Sequence, residues 1–346
     1  MTPCPASIAA KIDGFIDACR PLTETSPAVV VLAMHEFARN LYPSDPYIPF
    51  PAGLHRFDAI DSLLDHLTAF VTAGACLGSY GQPARDIHRE DVRDETGVVY
   101  GKLWNRYPGD MVAEAARIIE ERFSRNGISL DFIRGKTVLD AGCGSGRYAC
   151  ALAKLGAAEV VALDFGDDGL TLARRLAEGA GVRNIKFHKG DLRAMPFAEA
   201  SFDFVFSNGT AHHTGDIAAC TREIYRVLKP GGRSWYYIYG DGGVFWYARR
   251  KMNAFMKAIP QDYALKVLRL IGMPMNRFLF ADNWYVPIEL HTSAAAFERL
   301  LREAGFADIR RCSQGRATDP DTLVVDGTDK DRQMWGDGEL RYLVTK

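Results

Sequence analysis

The pattern of apolar and polar positions changes character about a hundred residues into the chain. Before that point apolar residues recur at helical spacing in short blocks, Ala6 to Cys19, Pro27 to Leu41 and Phe57 to Ala73. The last block carries a stripe of Ile60, Leu63, Leu64, Leu67, Phe70 and Val71 that reads as core. Tyr42 to Pro51 holds four prolines in ten residues, which excludes a helix interior and predicts a loop or boundary. Met111 to Phe123 predicts a further amphipathic helix. Strand candidates then follow at Thr137 to Ala141, Glu159 to Asp164, Ile185 to Lys189, Phe202 to Ser207 and Arg233 to Tyr239. Helical segments lie between them at Arg147 to Leu155, Gly169 to Gly179 and Ile217 to Leu228. Strand and helix in turn predict an α/β fold whose parallel sheet is covered on both faces and binds ligands at the carboxyl ends of its strands.

Composition narrows the function classes. With 346 residues, 47% of them hydrophobic and 25% charged, the chain has room for two domains, or one with an appendage. Lys and Arg number 42 against 43 Asp and Glu, so no global basic field exists to hold a nucleic-acid backbone. Ala28 to Met34, the longest apolar run of the N-terminal half, is far shorter than a bilayer span, and the expectation is a cytoplasmic protein without an integral membrane segment. Seven scattered cysteines without a CxxC argue against a disulfide framework and a zinc site, and no metal is expected.

The most informative stretch is Val138-Leu139-Asp140-Ala141-Gly142-Cys143-Gly144-Ser145-Gly146, a buried strand ending in a G-x-G-x-G turn that opens a helix. Glycine there lets a ligand approach the backbone and the amides at the helix start. By itself such a turn also serves as a tight strand-to-helix connection. A dinucleotide fingerprint would place its third glycine at position 147, which is Arg147, so a nicotinamide oxidoreductase is disfavoured. The second strand ends in Asp164, a carboxylate placed to accept both hydroxyls of a ribose.

Four segments in order, VLDAGCGSGRYA (138 to 149), VVALDFG (160 to 166), KGDLRAMPFAEASFDFVFSNGTAHHT (189 to 214) and EIYRVLKPGGR (223 to 233), resemble the class I S-adenosylmethionine-dependent methyltransferases, in particular their small-molecule group. The resemblance covers residues 137 to 239 and is weak over 1 to 95 and 240 to 292. It implies a Rossmann-like seven-stranded sheet, mostly parallel with an antiparallel last strand, and S-adenosylmethionine as cofactor, released as S-adenosylhomocysteine. Gly142, Gly144 and Gly146 would cradle the methionine part, with Asp140 on its amino group. Asp164 would hold the ribose, Phe165 would lie beside the adenine, Asp191 would face the adenine amino group, and the Leu192 amide would meet a ring nitrogen. Asn208 would line the methionine part and the acceptor pocket, and Tyr100 and Tyr107 match a segment that closes over the cofactor in relatives. The implied parts are an N-terminal helical region (1–95) serving as lid or homodimer contact, the core (96–239), an acceptor lid (240–292) and a completion of the sheet (293–346). This last part comprises a helix from Ser293 to Ala304 and strands from Phe306 to Cys312 and Glu339 to Thr345.

The acceptor is less legible. His212 and His213 follow the fourth strand, where a histidine could take a proton from a hydroxyl, amine or thiol, or could serve the fold through hydrogen bonds. On a helical wheel, Phe245 to Ile259 places Phe245, Met252, Phe255, Met256 and Ile259 in one apolar arc beside a basic edge of Arg249, Arg250 and Lys257. Such an edge reads as solvated cations, as a carboxylate site or as a lipid-surface contact. Trp246, Trp284, Tyr285 and His291, with Arg249 and Arg250, are the candidate acceptor-binding residues. The expected acceptor is a small carboxylate-bearing metabolite, with a thiol or a methylthio acid such as 4-methylthio-2-hydroxybutyrate as one option. O-, N- or C-methylation of a lipid or quinone-like compound is the alternative. An RNA-directed enzyme would need a basic stripe among the N-terminal helices, which residues 1 to 95 do not carry.

Overall fold

The computed structural model describes residues 2–41, 55–75, 111–271, 282–316, 319, 324–325 and 327–346. The chain divides into two compact units, one made of 1–89, 241–285 and 317–338, the other of 90–240, 286–316 and 339–346. None of the helices among the described residues is long and apolar enough to cross a membrane.

The second unit is built on a seven-stranded sheet. Its strands are β1 (Thr137–Ala141), β2 (Glu159–Asp164), β3 (Ile185–Lys189), β4 (Phe202–Asn208), β5 (Leu228–Tyr239), β6 (Asp308–Arg311) and β7 (Glu339–Thr345), in the order β3-β2-β1-β4-β5-β7-β6. The first five are parallel, and β7 runs antiparallel to both β5 and β6. Alternation within the strands sorts the core onto two faces. Leu139, Val205, Tyr236 and Leu340 pack under helices Ile217–Val227 and Ala294–Ala304, while Val138, Phe204, Trp235 and Leu343 pack under Met111–Arg125 and Arg147–Lys154. The fifth strand starts earlier than its pattern predicts, because the Lys229-Pro230-Gly231-Gly232 segment joins it through a register shift against Phe202 and Phe204. The first strand ends where β2 and β4 flank it, so the carboxyl edge of the sheet opens on the glycine turn.

The other unit is helical. It contains Ala6–Cys19, Leu22–Thr25, Pro27–Leu41, Arg56–Ala75, Gly243–Met256, Gln261–Leu270, Asp282–Tyr285 and Asp329–Trp335. Ile60, Leu64, Leu67 and Val71 are buried as the stripe predicts, but Phe70 is half exposed. Positions 60, 64, 67 and 71 follow a helical repeat of 3.6, and Phe70 falls one step off that line. Segments distant in sequence are joined by polar contacts here. The Tyr247 hydroxyl donates to Asp13 at 2.8 Å, Lys251 pairs with Asp13 at 2.7 Å, and Trp335 Nε1 donates to the Leu41 carbonyl at 3.1 Å.

Candidate active site

The turn after β1 takes its shape from three glycines with positive φ, Gly142 at 87°, Gly144 at 50° and Gly146 at 76°. A β-carbon on Gly142 would collide with the Thr210 side chain, and one on Gly146 would lie 2.6 Å from Ala173 Cβ. The backbone therefore runs close to its neighbours at both positions, as only glycine allows. The amides of Gly142 and Cys143 donate to the Leu163 carbonyl at 2.8 and 2.9 Å, which ties the turn to β2. Thr210 Oγ1 donates to the Gly142 carbonyl at 3.1 Å and ties it to the segment after β4. Helix Arg147–Lys154 begins at Gly146 without a side-chain cap, so its first amides face the turn.

Three acidic residues stand at the ends of three adjacent strands, Asp140 in β1, Asp164 in β2 and Asp191 just after β3. At a strand spacing of about 4.8 Å they span about 10 Å, the scale of an elongated ligand with several donors. Their environments differ. Asp164 accepts from the Gly144 amide through Oδ2 at 2.7 Å and from the Gly166 amide through Oδ1 at 2.9 Å. Burial raises its pKa, and those amides oppose the rise. Asp140 is almost wholly buried, and its Oδ2 has no hydrogen-bond partner among the described residues. Burial first, and then the neighbouring Asp164 charge, push Asp140 up to about 8. An acidic oxygen in that state calls for a cation or a donor.

The remaining cofactor candidates fall around this row. The Phe165 ring is 38% exposed beside Asp164, available for stacking, and Leu192 is buried beneath the turn that carries Asp191. Asn208 Oδ1 accepts from Trp235 Nε1 at 3.1 Å, which fixes the amide at the end of β4. Tyr100 and Tyr107 lie outside the described residues.

Beyond β4 the edge of the sheet becomes aromatic. His212 is fully buried, its ring centroid 3.7 Å from that of Tyr239 and 4.1 Å from that of His213. His213 Nδ1 lies 2.7 Å from the Ile288 carbonyl. A carbonyl only accepts, so that nitrogen carries the proton, and Nε2 of the neutral ring is the basic one. His291 places Nδ1 3.0 Å from the Gly240 carbonyl and Nε2 3.0 Å from Glu289 Oε1. Further along, the Tyr237 hydroxyl donates to Glu339 at 2.9 Å, and Arg341, buried, pairs with the same carboxylate while its guanidinium lies 4.7 Å from the Tyr237 ring centre. Tyr237, Tyr239, Glu289, Glu339 and Arg341 were not singled out from the sequence. The period-two run Trp235, Tyr237, Tyr239 in β5 was the available signal.

The other predicted acceptor residues belong to the helical unit. Trp246 and Trp284 are fully buried and Tyr285 nearly so. Of the predicted basic edge, packing buries Arg249 and leaves Arg250 and Lys257 exposed. Arg249 is only 3% exposed with its guanidinium 5.5 Å from the Trp246 ring centre, and Arg250 is engaged with Asp241 at 2.6 Å. Helix Gly243–Met256 is surrounded within its unit by helices Ala6–Cys19, Asp282–Tyr285 and Asp329–Trp335, so its basic residues meet acidic and aromatic partners there.

The residues of the sheet unit fit S-adenosylmethionine. An unpartnered buried carboxylate oxygen suits its ammonium, the glycine turn excludes any β-carbon from its path, and the row of carboxylates matches its succession of donors. Residues 139–236 match the methyltransferase domain family. The chain is 36% identical to a demethylmenaquinone methyltransferase of Lactococcus lactis subsp. lactis, over 53% of this chain and 70% of that protein. It is 42% identical to a sterol 24-C-methyltransferase of Pneumocystis carinii over 28% of this chain, spanning only 26% of that relative. An S-adenosylmethionine-dependent methyltransferase structure from Mesorhizobium loti is similar with a TM-score of 0.41 and 18% identity, covering 63% of this chain and 94% of that one. The order β3-β2-β1-β4-β5-β7-β6 with β7 antiparallel, the glycine turn with its acidic row, the domain match and the Lactococcus lactis relative agree, and the chain belongs to the class I S-adenosylmethionine-dependent methyltransferases.

Proposed function

We propose that this protein transfers a methyl group from S-adenosylmethionine to a small acceptor that carries a transferable proton, at the carboxyl edge of β4 and β5. When bound, the cofactor supplies a methyl group on a positively charged sulfur, open to in-line displacement. Asp140 neutralises the ammonium, Asp164 accepts from the ribose hydroxyls, Asp191 faces the adenine amino group, and Phe165 stacks on the base. His213 takes the proton that the acceptor loses as its new bond to carbon forms, with Nε2 the receiving atom. The observation that carries this assignment is the contact of His213 Nδ1 with the Ile288 carbonyl at 2.7 Å, which orients the ring and leaves its basic nitrogen on the other side. Much of the rate in such a transfer comes from alignment and exclusion of water, which the buried aromatic edge supports.

The acceptor class favoured by these residues is aromatic or quinone-like. The rings that meet at this edge in the sheet unit are Tyr237, Tyr239, His212, His213 and His291, and the name of one relative, a demethylmenaquinone methyltransferase, points the same way. A carboxylate-bearing acceptor has less support from the basic edge, since Arg249 is buried against Trp246 and Arg250 is paired with Asp241. The thioether sulfur of a methylthio acid carries no proton, so its methylation would not need His213. The test is titration calorimetry with S-adenosylhomocysteine, followed by transfer of labelled methyl to a panel of phenols, hydroquinones, thiols and hydroxy acids. Tight binding abolished by Asp164→Ala, with a phenol or hydroquinone product, is expected. Absence of binding to the unmodified protein would overturn the assignment.

A further inference from the structure

The turn after β3 is held more firmly than a connection between two strands requires. Asp191 takes the backbone amide of Arg193 on Oδ1 at 2.8 Å, and Arg193 Nε reaches the same oxygen at 3.0 Å. Nη2 of the same arginine reaches Oδ2 at 2.5 Å, with Nε 3.1 Å from that oxygen, so the guanidinium grips the carboxylate as a fork. The Ala194 amide closes the turn on the Asp191 carbonyl at 3.1 Å. On its far side, Glu223 accepts from the Met195 amide at 2.7 Å, and Arg226 donates to the carbonyls of Met195 and Phe197 at 3.0 and 2.7 Å. Glu223 and Arg226 also pair with each other at 2.7 Å, so helix Ile217–Val227 presents a ready-made clamp to the turn.

Two consequences follow from chemistry. An arginine fork fixes the plane of a carboxylate as well as its charge, where a lysine would supply charge alone. An ionised carboxylate can only accept hydrogen bonds, so a ligand edge that meets it must donate. Asp191 stands one strand beyond Asp164 on the carboxyl edge, at the end of the acidic row.

We propose that Arg193 is a positioning residue for the nucleobase end of the cofactor site, and that by forking Asp191 it makes the site select a base with an exocyclic amino group over one with a carbonyl in its place. The proposal rests on the methyltransferase reading above, in which Asp191 faces the adenine. Glu223 and Arg226 hold the turn, and Arg193 holds the carboxylate within it.

The experiment compares two ligands, S-adenosylhomocysteine and its 6-oxo counterpart S-inosylhomocysteine, by calorimetry on the unmodified protein and on Arg193→Ala, Arg193→Lys and Asp191→Asn. The unmodified protein is expected to prefer the amino ligand by about tenfold or more, the worth of a hydrogen bond to a charged group. Arg193→Ala should weaken the amino ligand by about fivefold or more while leaving the oxo ligand within about twofold, so that the ratio collapses. Arg193→Lys, with charge but no fork, should restore only part of the ratio, and Asp191→Asn should abolish it. Equal weakening of both ligands by Arg193→Ala, or an unchanged ratio, overturns the role of Arg193 alone. Failure of the unmodified protein to bind S-adenosylhomocysteine overturns the methyltransferase reading and this role with it.

Discussion

The carboxyl edge of the sheet has two halves that solve recognition by different means. Over β1, β2 and β3 the work is done by backbone amides, glycines and single carboxylates that lie within a few residues of their strands. Over β4, β5 and β7 it is done by side chains brought from four separate stretches, around residues 208–213, 237–240, 288–291 and 339–341. The first half places an Asp140 oxygen in the interior without a hydrogen-bond partner among the described residues, whereas the second sets Arg341 against Glu339 and brings His291 Nε2 within 3.0 Å of Glu289. A site prepared for a charged ligand leaves a charge to be met.

The largest effect is expected where the paired half is broken. Arg341→Met leaves the Glu339 carboxylate buried without its cation, and should lower stability by about 3–5 kcal/mol in denaturant unfolding. A loss under about 1 kcal/mol would show that the pair is not closed as described. In the other half, Gly142→Ala forces a side chain into left-handed backbone and into Thr210. A cost of about 2–4 kcal/mol and loss of S-adenosylhomocysteine binding are expected from thermal unfolding and calorimetry.

The halves should also separate by function. His213→Gln is expected to slow transfer to a phenolic acceptor by about a hundredfold at neutral pH, with S-adenosylhomocysteine affinity held within about twofold. If binding falls with rate, the division between donor and acceptor halves fails. Asp140 supplies a pH signature for the donor half. Its pKa of about 8 in the folded protein lies above the ordinary value of 3.8, so between those limits the native state holds a proton that the unfolded chain has lost. Stability from this residue is therefore full below pH 4 and falls as pH rises toward 8. Binding of a cation reverses the preference and releases the proton, so affinity for S-adenosylhomocysteine should rise by up to about tenfold per pH unit between pH 6 and 7.5. Calorimetry in buffers of different ionisation heat would record that proton, and Asp140→Asn should remove both signals. The smallest effect is at the surface. Phe165→Leu should weaken the same ligand by about two- to fivefold through lost stacking on the base.

Most of the sheet could be read in advance from alternation, and the residues proposed for the donor half came from the resemblance of four segments. The turn through Gly142, Gly144 and Gly146 and the place of Asp164 at the end of β2 were legible because they depend on near neighbours. The grip of Arg193 on Asp191 was missed although the two are only two residues apart, since nothing in spacing distinguishes a fork from a solvated cation. Trp246 and Arg249 stand out in the sequence because aromatic and basic residues cluster there, and the structure buries both among helices of their own unit. The carbonyl that orients His213 lies 75 residues away in sequence.

From sequence alone came the succession of strands and helices and the glycine turn, set by local periodicity and backbone sterics, while the row of acidic residues came with the resemblance of its segments. Tertiary structure alone decided which charges were left to be met and which were neutralised. Solvation and pairing are properties of the whole environment of a group, and Asp140, Arg250 and His213 acquire their chemistry from residues that no spacing rule connects to them.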